Sequence, residues 1–428
     1  MFFERPDSGS RALLVHVNRS DSDLASPEEL IELAESASLR PIECIISSRR
    51  NPHPATFLGQ GKVNEIIAFL RGTPIDLIVF DAELAPSQER NLERALGVRV
   101  IDRTGLILQI FSQRARTHEG KLQVELAQLA HASTRLVRGW THLDRQRGGS
   151  GRGAGSASGL AGAGETQLEA DQRMLHQRTR RVAMRLDKVR RQRNQNRRSR
   201  KRSDIKTVSL AGYTNAGKST LFNRLCTASV WEADQLFATL DPTLRQVPIP
   251  IVGNIIMSDT VGFIRQLPHT LVDAFRATLE EVSSADLILH IVDESADFRL
   301  ERIGEVETVL GEIGARQIPT LLVYNKIDIS GVKERVQRDS FGRPIKVWVS
   351  ARSGHGLNLL RVAIGELLAE NLIETKIELQ PHEGSLRSKL FALGAVVNEE
   401  TDCGGVIHVQ LRIDQRDLDR IQRQELVK

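Results

Sequence analysis

Thr207-Val-Ser-Leu-Ala-Gly-Tyr-Thr-Asn-Ala-Gly-Lys-Ser219 is the stretch whose reading decides the fold. Thr207 to Gly212 is a short apolar run of strand type, and Lys218 to Leu225 reads as the start of a helix. Between them stands Gly212-x-x-x-x-Gly217-Lys218-Ser219, the pattern that cradles phosphates. Glycines allow backbone turns that a β-carbon would block, so the N–H groups of Tyr213, Thr214, Asn215 and Ala216 can converge on an anion. The helix that follows adds its positive N-terminal end. Lys218 places a charge on the β- and γ-phosphates, the Ser219 hydroxyl is a hard ligand for Mg²⁺, and Thr220 follows it at the helix start.

Working outward, Asp259-Thr-Val-Gly262 ends another strand-like run, Asn254 to Met257. Asp259 there can hold a metal-bound water, and the Gly262 N–H can meet the γ-phosphate. A chain that contacts the γ-phosphate can act as a switch. Asn325-Lys-Ile-Asp328 selects the base. The Asp328 carboxylate can only accept, which suits the adjacent N–H donors on the Watson–Crick edge of guanine, whereas adenine has the opposite polarity. Asn325 and Lys326 are expected to brace the phosphate loop and cover the base, with the Ser350-Ala351 backbone and Arg352 closing the pocket around the guanine oxygen. The ligand implied is GTP with Mg²⁺.

A mobile segment must supply a Thr that reaches both Mg²⁺ and the γ-phosphate, and Phe237-Ala-Thr-Leu-Asp-Pro-Thr243 offers Thr239, with Thr243 as its competitor. The expected metal set is Ser219, Thr239 and Asp259; the catalytic set is Lys218, Thr239 and Gly262. After Gly262 comes Phe263, where a Ras-type GTPase carries a water-orienting Gln. Phenylalanine cannot hydrogen-bond a water, so slow intrinsic hydrolysis that rises with a partner is expected. Asn215 is read either as a residue that helps hold K⁺ beside the phosphates or as a turn former.

The 428 residues allow about three domains at ~150 each. No apolar run approaches the length of a membrane span, and the first residues lack the apolar core of a signal peptide. Cys44, Cys226 and Cys403 are scattered, which fits a reducing cytoplasm and implies neither a disulfide framework nor a zinc site. The net charge of +5 conceals a local excess. From Arg173 to Arg202 there are fourteen basic residues and one acid, Asp187, so the rest of the chain is net acidic. Such a stripe is the footprint of a polyphosphate partner such as RNA, the alternative being a solvated helix face.

The chain divides into four segments, giving an α/β multidomain fold class. Residues 1–112 alternate strands (Ala12 to Val17, Ile42 to Ser47, Asp76 to Phe80, Val98 to Ile101) with helices, one opened by a capping box at Ser26-Pro27-Glu28-Glu29 with Pro first. His53 and Lys62 near Gly59-Gln-Gly61 suggest a phosphate site, but without the full loop pattern an ordinary turn is favoured. Residues 113–203 form a basic coiled-coil hairpin: Leu122, Leu126, Leu129, Ser133 and Leu136 share one heptad seam, and Leu168, Gln172, Leu175, Thr179, Val182, Leu186 and Val189 the other. The polar seam positions suggest that the hairpin leans on a neighbour. Its glycine-rich tip loop spans 147–164. Residues 204–372 are the GTP-binding domain, a doubly wound, mostly parallel sheet. Residues 373–428 are a small α+β domain in which Ile407, Val409, Leu411 and Ile413 alternate with polar residues and His408 faces solvent.

Longer strings extend this reading. Val100-Ile-Asp-Arg-Thr-Gly-Leu-Ile-Leu108, Gln113-Arg-Ala-Arg-Thr-His-Glu-Gly-Lys-Leu-Gln-Val-Glu125, Leu136-Val-Arg-Gly-Trp140, Gly164-Glu-Thr-Gln-Leu-Glu169 and Asp234-Gln-Leu-Phe-Ala-Thr-Leu-Asp-Pro-Thr243 resemble the HflX GTPases throughout. The resemblance implies a stress-linked factor, monomeric when free. It would bind the large ribosomal subunit and its RNA, place the hairpin tip near the peptidyl-transferase region and promote subunit splitting with GTP bound. One departure stands out: the family's usual Gly-Leu-Arg-Gly-Pro-Gly before Glu-Thr-Gln-Leu-Glu is here Gly159-Leu-Ala-Gly-Ala-Gly164. Other readings kept open are an RNA-modification or assembly GTPase and a nucleotide-gated RNA-binding switch.

Overall fold

The computed structural model describes residues 9–18, 27–48, 51–139, 163–202, 205–226, 236–237, 240, 243–265, 281–369, 372–380, 384–392, 395–402 and 406–414. They fall into two units, the first built from the chain up to Arg193 together with Leu236 and Phe237.

The first unit holds a parallel sheet of order β2-β1-β3-β4, formed by β1 (Arg11–Asn18), β2 (Arg40–Ser48), β3 (Leu77–Phe80) and β4 (Arg99–Asp102). Strand β1 is buried along both faces, as a parallel sheet covered on both sides requires. Helices α2 (Gln60–Gly72) and α3 (Pro86–Leu96) cover one face, where Val63, Ile66 and Leu92 join Leu13 and Val15 in one core. Helices α1 (Glu28–Ser36) and α4 (Arg103–Arg114) pack on each other. In α1, Pro27 occupies the N-cap rather than the first helical position and no side chain caps it, and Ser26 lies outside the described residues. The Gly59-Gln-Gly61 stretch, read as a turn, instead opens α2, with Lys62 paired to Glu65 at 2.9 Å and His53 accepting from the Ala55 N–H at 3.3 Å.

A buried ionic network at the carboxyl edge of this sheet was not foreseen. Arg103 binds both Glu29 and Asp81, and His16 Nδ1 lies 2.6 Å from Asp81. Asp102 caps α4 by accepting from the Gly105 N–H at 2.8 Å and also meets Arg135 Nη2 at 2.9 Å. Arg135 Nε in turn donates to Glu89 at 2.7 Å. Arg135 belongs to α5 (His118–Gly139), so the network fastens the first hairpin helix to the sheet. Burial alone would raise the Asp81 and Asp102 carboxyls. Their partners outweigh it and hold both below the usual carboxylate range.

Helix α5 packs on α3 and α4 and pairs with α6 (Ala163–Arg202) through Leu122, Leu129, Ala132, Leu175, Val182 and Leu186. Ala132 joins this buried cluster beside half-buried Ser133, and Thr179 turns its hydroxyl back to the Leu175 carbonyl at 2.9 Å. The side chains of Leu136 and Leu168, and the tip loop before Ala163, lie outside the described residues. Arg173, Arg178, Arg180, Arg181, Arg185, Lys188 and Arg191 are exposed along α6, on the surface left by its apolar seam. The unit also takes in Leu236, whose N–H donates to Ser36 Oγ at 3.0 Å, and Phe237, edge-on to Phe111 with ring centroids 4.7 Å apart.

The second unit is built on a seven-stranded sheet of order β10-β11-β9-β8-β5-β7-β6. Its strands are β5 (Thr207–Gly212), β6 (Thr243–Ile249), β7 (Gly253–Asp259), β8 (Leu287–Asp293), β9 (Thr320–Asn325), β10 (Arg335–Arg338) and β11 (Pro344–Trp348). All neighbours are parallel except the two edge strands, β6 and β10. Helices α7 (Lys218–Cys226) and α10 (Leu357–Leu368) bury Phe222, Leu221, Leu360 and Ile364 against Val208, Leu210, Met257, Leu289 and Val323. Helix α8 (Arg299–Glu312) packs on β8 and β5, and α9 (Ile327–Ser330) is a single turn after β9. The doubly wound, mostly parallel expectation holds, with two antiparallel edges that the reading of the sequence lacked.

Further on, β12 (Leu372–Leu379), β13 (Val396–Thr401) and β14 (Ile407–Asp414) form an antiparallel sheet of order β12-β14-β13, covered by α11 (Gly384–Ala392). Val409, Leu411 and Ile413 point into its core together with Leu390.

Candidate guanine-nucleotide site

Four of the parallel strands end in a motif residue or carboxylate: β5 in Gly212, β7 in Asp259, β8 in Asp293 and β9 in Asn325. A crevice outside the carboxyl ends of such strands is where a doubly wound sheet binds its ligand. The phosphate loop bridges β5 to the N-terminus of α7. Gly217 adopts φ +87°, and a β-carbon there would stand 2.3 Å from Asn325 Nδ2, so only glycine fits. Asn215 takes the left-handed conformation at φ 59° and is exposed. Ala216 is buried and Thr220 half-buried in the first turn of α7.

Lys218 is 7% exposed and its Nζ donates to the Tyr213 carbonyl at 2.7 Å. Burial pushes its ammonium down to about 8, against the attraction of Asp259. Ser219 Oγ donates to Asp259 Oδ2 at 2.7 Å, so the structure joins two of the three metal-set residues. A hydroxyl and a carboxylate held together are the hard-oxygen donors a Mg²⁺ ion accepts directly or through water. Thr239 lies outside the described residues. Thr243 heads β6 directly opposite Asp259, and its buried Oγ1 has no hydrogen-bond partner among the described residues.

The base elements converge as well. Asn325 is 2% exposed; its Nδ2 donates to the Ala216 carbonyl and its Oδ1 accepts from the Ala351 N–H, both at 2.9 Å. One side chain therefore ties the phosphate loop to the loop after β11. The Ala351 N–H, part of the Ser350-Ala351 backbone expected to close the pocket around the guanine oxygen, is engaged by Asn325. Asp328 is exposed and its Oδ1 accepts from Ser350 Oγ at 2.6 Å, which fixes the carboxylate. Lys326 adopts φ 66° and its Nζ reaches Asp293 at 2.8 Å, a partner the motif alone does not reveal. The Arg352 side chain is exposed, while its carbonyl accepts from Arg224 Nη2 at 2.8 Å.

Phe263 is turned inward, 1% exposed, so it offers nothing to a water at the phosphates. Its backbone pairs with the phosphate loop. The Thr214 N–H donates to the Phe263 carbonyl at 2.7 Å, and the Phe263 N–H to the Gly212 carbonyl at 3.1 Å. Beneath the loop, burial and the Lys218 charge push His290 down to about 4, leaving a neutral ring.

The chain is similar to known proteins along nearly its whole length. Residues 25–112 match a family model described as GTP-binding GTPase N-terminal, 114–200 one described as GTP-binding GTPase Middle Region, and 207–326 one described as 50S ribosome-binding GTPase. The GTPase HflX of Escherichia coli K12 is 50% identical over 426 residues, covering 99% of this chain and 98% of that protein. The GTPase HflX of Caldanaerobacter subterraneus is 41% identical over 92% of this chain and 89% of its own length. Among solved structures, a GTP-binding protein from the archaeon Sulfolobus solfataricus in complex with GDP is 24% identical, with a TM-score of 0.43 over 84% of this chain and 98% of that one. With Lys218, Ser219, Asp259, Asn325 and Asp328 assembled at the carboxyl ends of one sheet, and relatives this similar along nearly its whole length, the chain binds and hydrolyses GTP and belongs to the HflX family of GTPases.

Proposed function

We propose that this protein is a cytoplasmic, ribosome-stimulated GTPase that binds the large subunit through its hairpin and, with GTP bound, promotes separation of the subunits. The observation that carries this reading is the row of exposed Arg and Lys side chains on α6, outside its apolar seam. Fixed cations on a helix suit rRNA phosphates and release counterions on binding. The family description of the nucleotide domain as that of a 50S ribosome-binding GTPase supports the same partner. In this reading residues 113–203 are the ribosome-binding hairpin, and its tip loop reaches towards the peptidyl-transferase region.

Within the nucleotide site, Ser219 and Asp259 would hold Mg²⁺ together with Thr239, and Thr243 is the second choice because it stands opposite Asp259 on the ladder and its buried hydroxyl has no partner among the described residues. The ion would neutralise charge that builds on the phosphates. Lys218 holds the β- and γ-phosphates, Gly262 N–H meets the γ-phosphate, and Asp328 fixes guanine. Since Phe263 is buried, orientation of the attacking water falls to the ribosome or to K⁺ beside Asn215. The test is GTP turnover with and without 50S subunits, alongside sedimentation of 70S ribosomes with a non-hydrolysable GTP analogue. Stimulation together with a shift from 70S to free subunits is expected; neither stimulation nor co-sedimentation would overturn the reading.

A further inference from the structure

Tyr213 fills a phosphate-loop position whose backbone alone serves a nucleotide; phosphate binding gives no reason for a phenol there. The side chain is 7% exposed. Its hydroxyl accepts from the Arg265 N–H at 2.8 Å. Its ring lies under the Arg302 guanidinium of α8, 4.9 Å from the ring centroid. Arg265 itself reaches Glu305 of the same helix at 3.5 Å. Tyr213 therefore links the chain after Gly262 to α8.

That link continues the Thr214–Phe263 and Phe263–Gly212 backbone bonds, a parallel bridge between Tyr213 and Phe263. Three hydrogen bonds in a row hold residues 263–265 on the phosphate loop. The result is a crowded Gly262. A β-carbon there would stand 2.8 Å from Thr214 Cγ2 and 2.9 Å from Lys218 Nζ, so the held segment leaves no room for even a methyl group between Gly262 and the ammonium that must receive the γ-phosphate. A diphosphate does not need that space.

We propose that Tyr213 is a positioning residue that sets the preference between GDP and GTP: its hydroxyl holds the segment after Gly262 in a clasp that a γ-phosphate must open. GTP then binds against the clasp, whereas GDP binds beneath it. The clasp acts through Gly262 and Lys218, and the phenol touches no nucleotide. This inference concerns protein and nucleotide alone, so it stands or falls separately from the ribosomal reading.

Tyr213→Phe keeps the ring under Arg302 and removes only the hydroxyl. Affinities for fluorescent GDP and for a non-hydrolysable GTP analogue, without ribosomes, should shift unequally: the analogue gains about three- to tenfold, the worth of one hydrogen bond, and GDP stays within twofold. Amide hydrogen exchange supplies a second readout. In the wild-type protein without nucleotide the Arg265 amide should be protected, and that protection should fall in Tyr213→Phe and in wild-type protein bound to the analogue. A merely structural tyrosine would weaken both nucleotides in parallel. Parallel loss, an unchanged affinity ratio, or Arg265 protection that survives the substitution would overturn the proposal.

Discussion

Asn325→Ala tests whether one amide unites the two halves of the nucleotide pocket. The side chain serves the Ala216 carbonyl and the Ala351 N–H, each at 2.9 Å. Both residues, like Asn325 itself, are only 2% exposed, so water cannot readily replace the amide. Leaving a buried donor or acceptor unpaired costs about 1–3 kcal/mol, hence about 2–6 kcal/mol for the two. Contact of Asn325 Nδ2 with the Gly217 turn means that the phosphate loop also loses its lateral support. If even about 2 kcal/mol of this appears in binding, GDP affinity falls about thirtyfold. The remainder appears as lower stability, about 2–4 °C in Tm for each kcal/mol in a domain of this size. Titration with fluorescent GDP and a thermal melt read the two parts separately. Asn325→Asp, which keeps an acceptor for Ala351 but sets a carboxylate against the Ala216 carbonyl, should also bind weakly. Binding of both variants within threefold of wild type would refute the bracing role.

Asp328→Asn should exchange guanine for xanthine preference, read as relative GTP and XTP affinity; unchanged GTP binding without gain for XTP would count against the base assignment. Turnover in K⁺ buffer should exceed that in Na⁺ buffer if Asn215 helps hold a monovalent ion, and Asn215→Ala should abolish the difference; equal rates would leave Asn215 as a turn former. Thr239→Ala should lower affinity for a GTP analogue at least tenfold while sparing GDP, and Thr243→Ala should not; the reverse would exchange their roles. Asp102 titrates below its unfolded value, so its stabilisation is complete above the ordinary carboxylate pKa of about 4 and disappears as pH falls through the lower folded value. Asp102→Asn should therefore destabilise the protein at neutral pH and flatten the acid limb of its urea midpoint against pH; an unaltered limb would remove Asp102 from the network.

What could be read in the sequence was local. The strand read at 207–212 coincides with β5 and the run 254–257 falls within β7, because each leads directly into a motif residue. The phosphate loop, Asp259 and the Asn-Lys-x-Asp element carry their chemistry in fixed spacing, and they stand at the carboxyl ends of strands in one sheet. What escaped depends on distant partners. Strands β6 and β10 are polar and gain order only by pairing with β7 and β11. Arg103 looks like a surface residue until Glu29 and Asp81 close around it. The engagement of the Ala351 N–H by Asn325 spans 26 residues, and the Tyr213 hydroxyl finds an amide 52 residues away. In the hairpin, the heptad spacing gave Leu122, Leu126, Leu129 and Ser133 to the seam but not Ala132, which is buried beside them.

The two antiparallel edges also bear on how the chain survives its own synthesis. A parallel sheet waits for strands far apart in sequence, and its open edges invite pairing with another copy in the meantime. Here both borders resist such pairing. β6 ends in Pro248 and Ile249 after exposed Arg245 and Gln246, so its outer rim lacks one amide donor and carries charge. On the other side Arg335 stacks over Trp348 at 4.2 Å and Arg338 pairs with Glu366 at 2.6 Å, so a second strand would have to displace two anchored guanidinium groups. The polar sequences that hid these strands from a hydrophobic reading are what keep nascent copies from joining edge to edge.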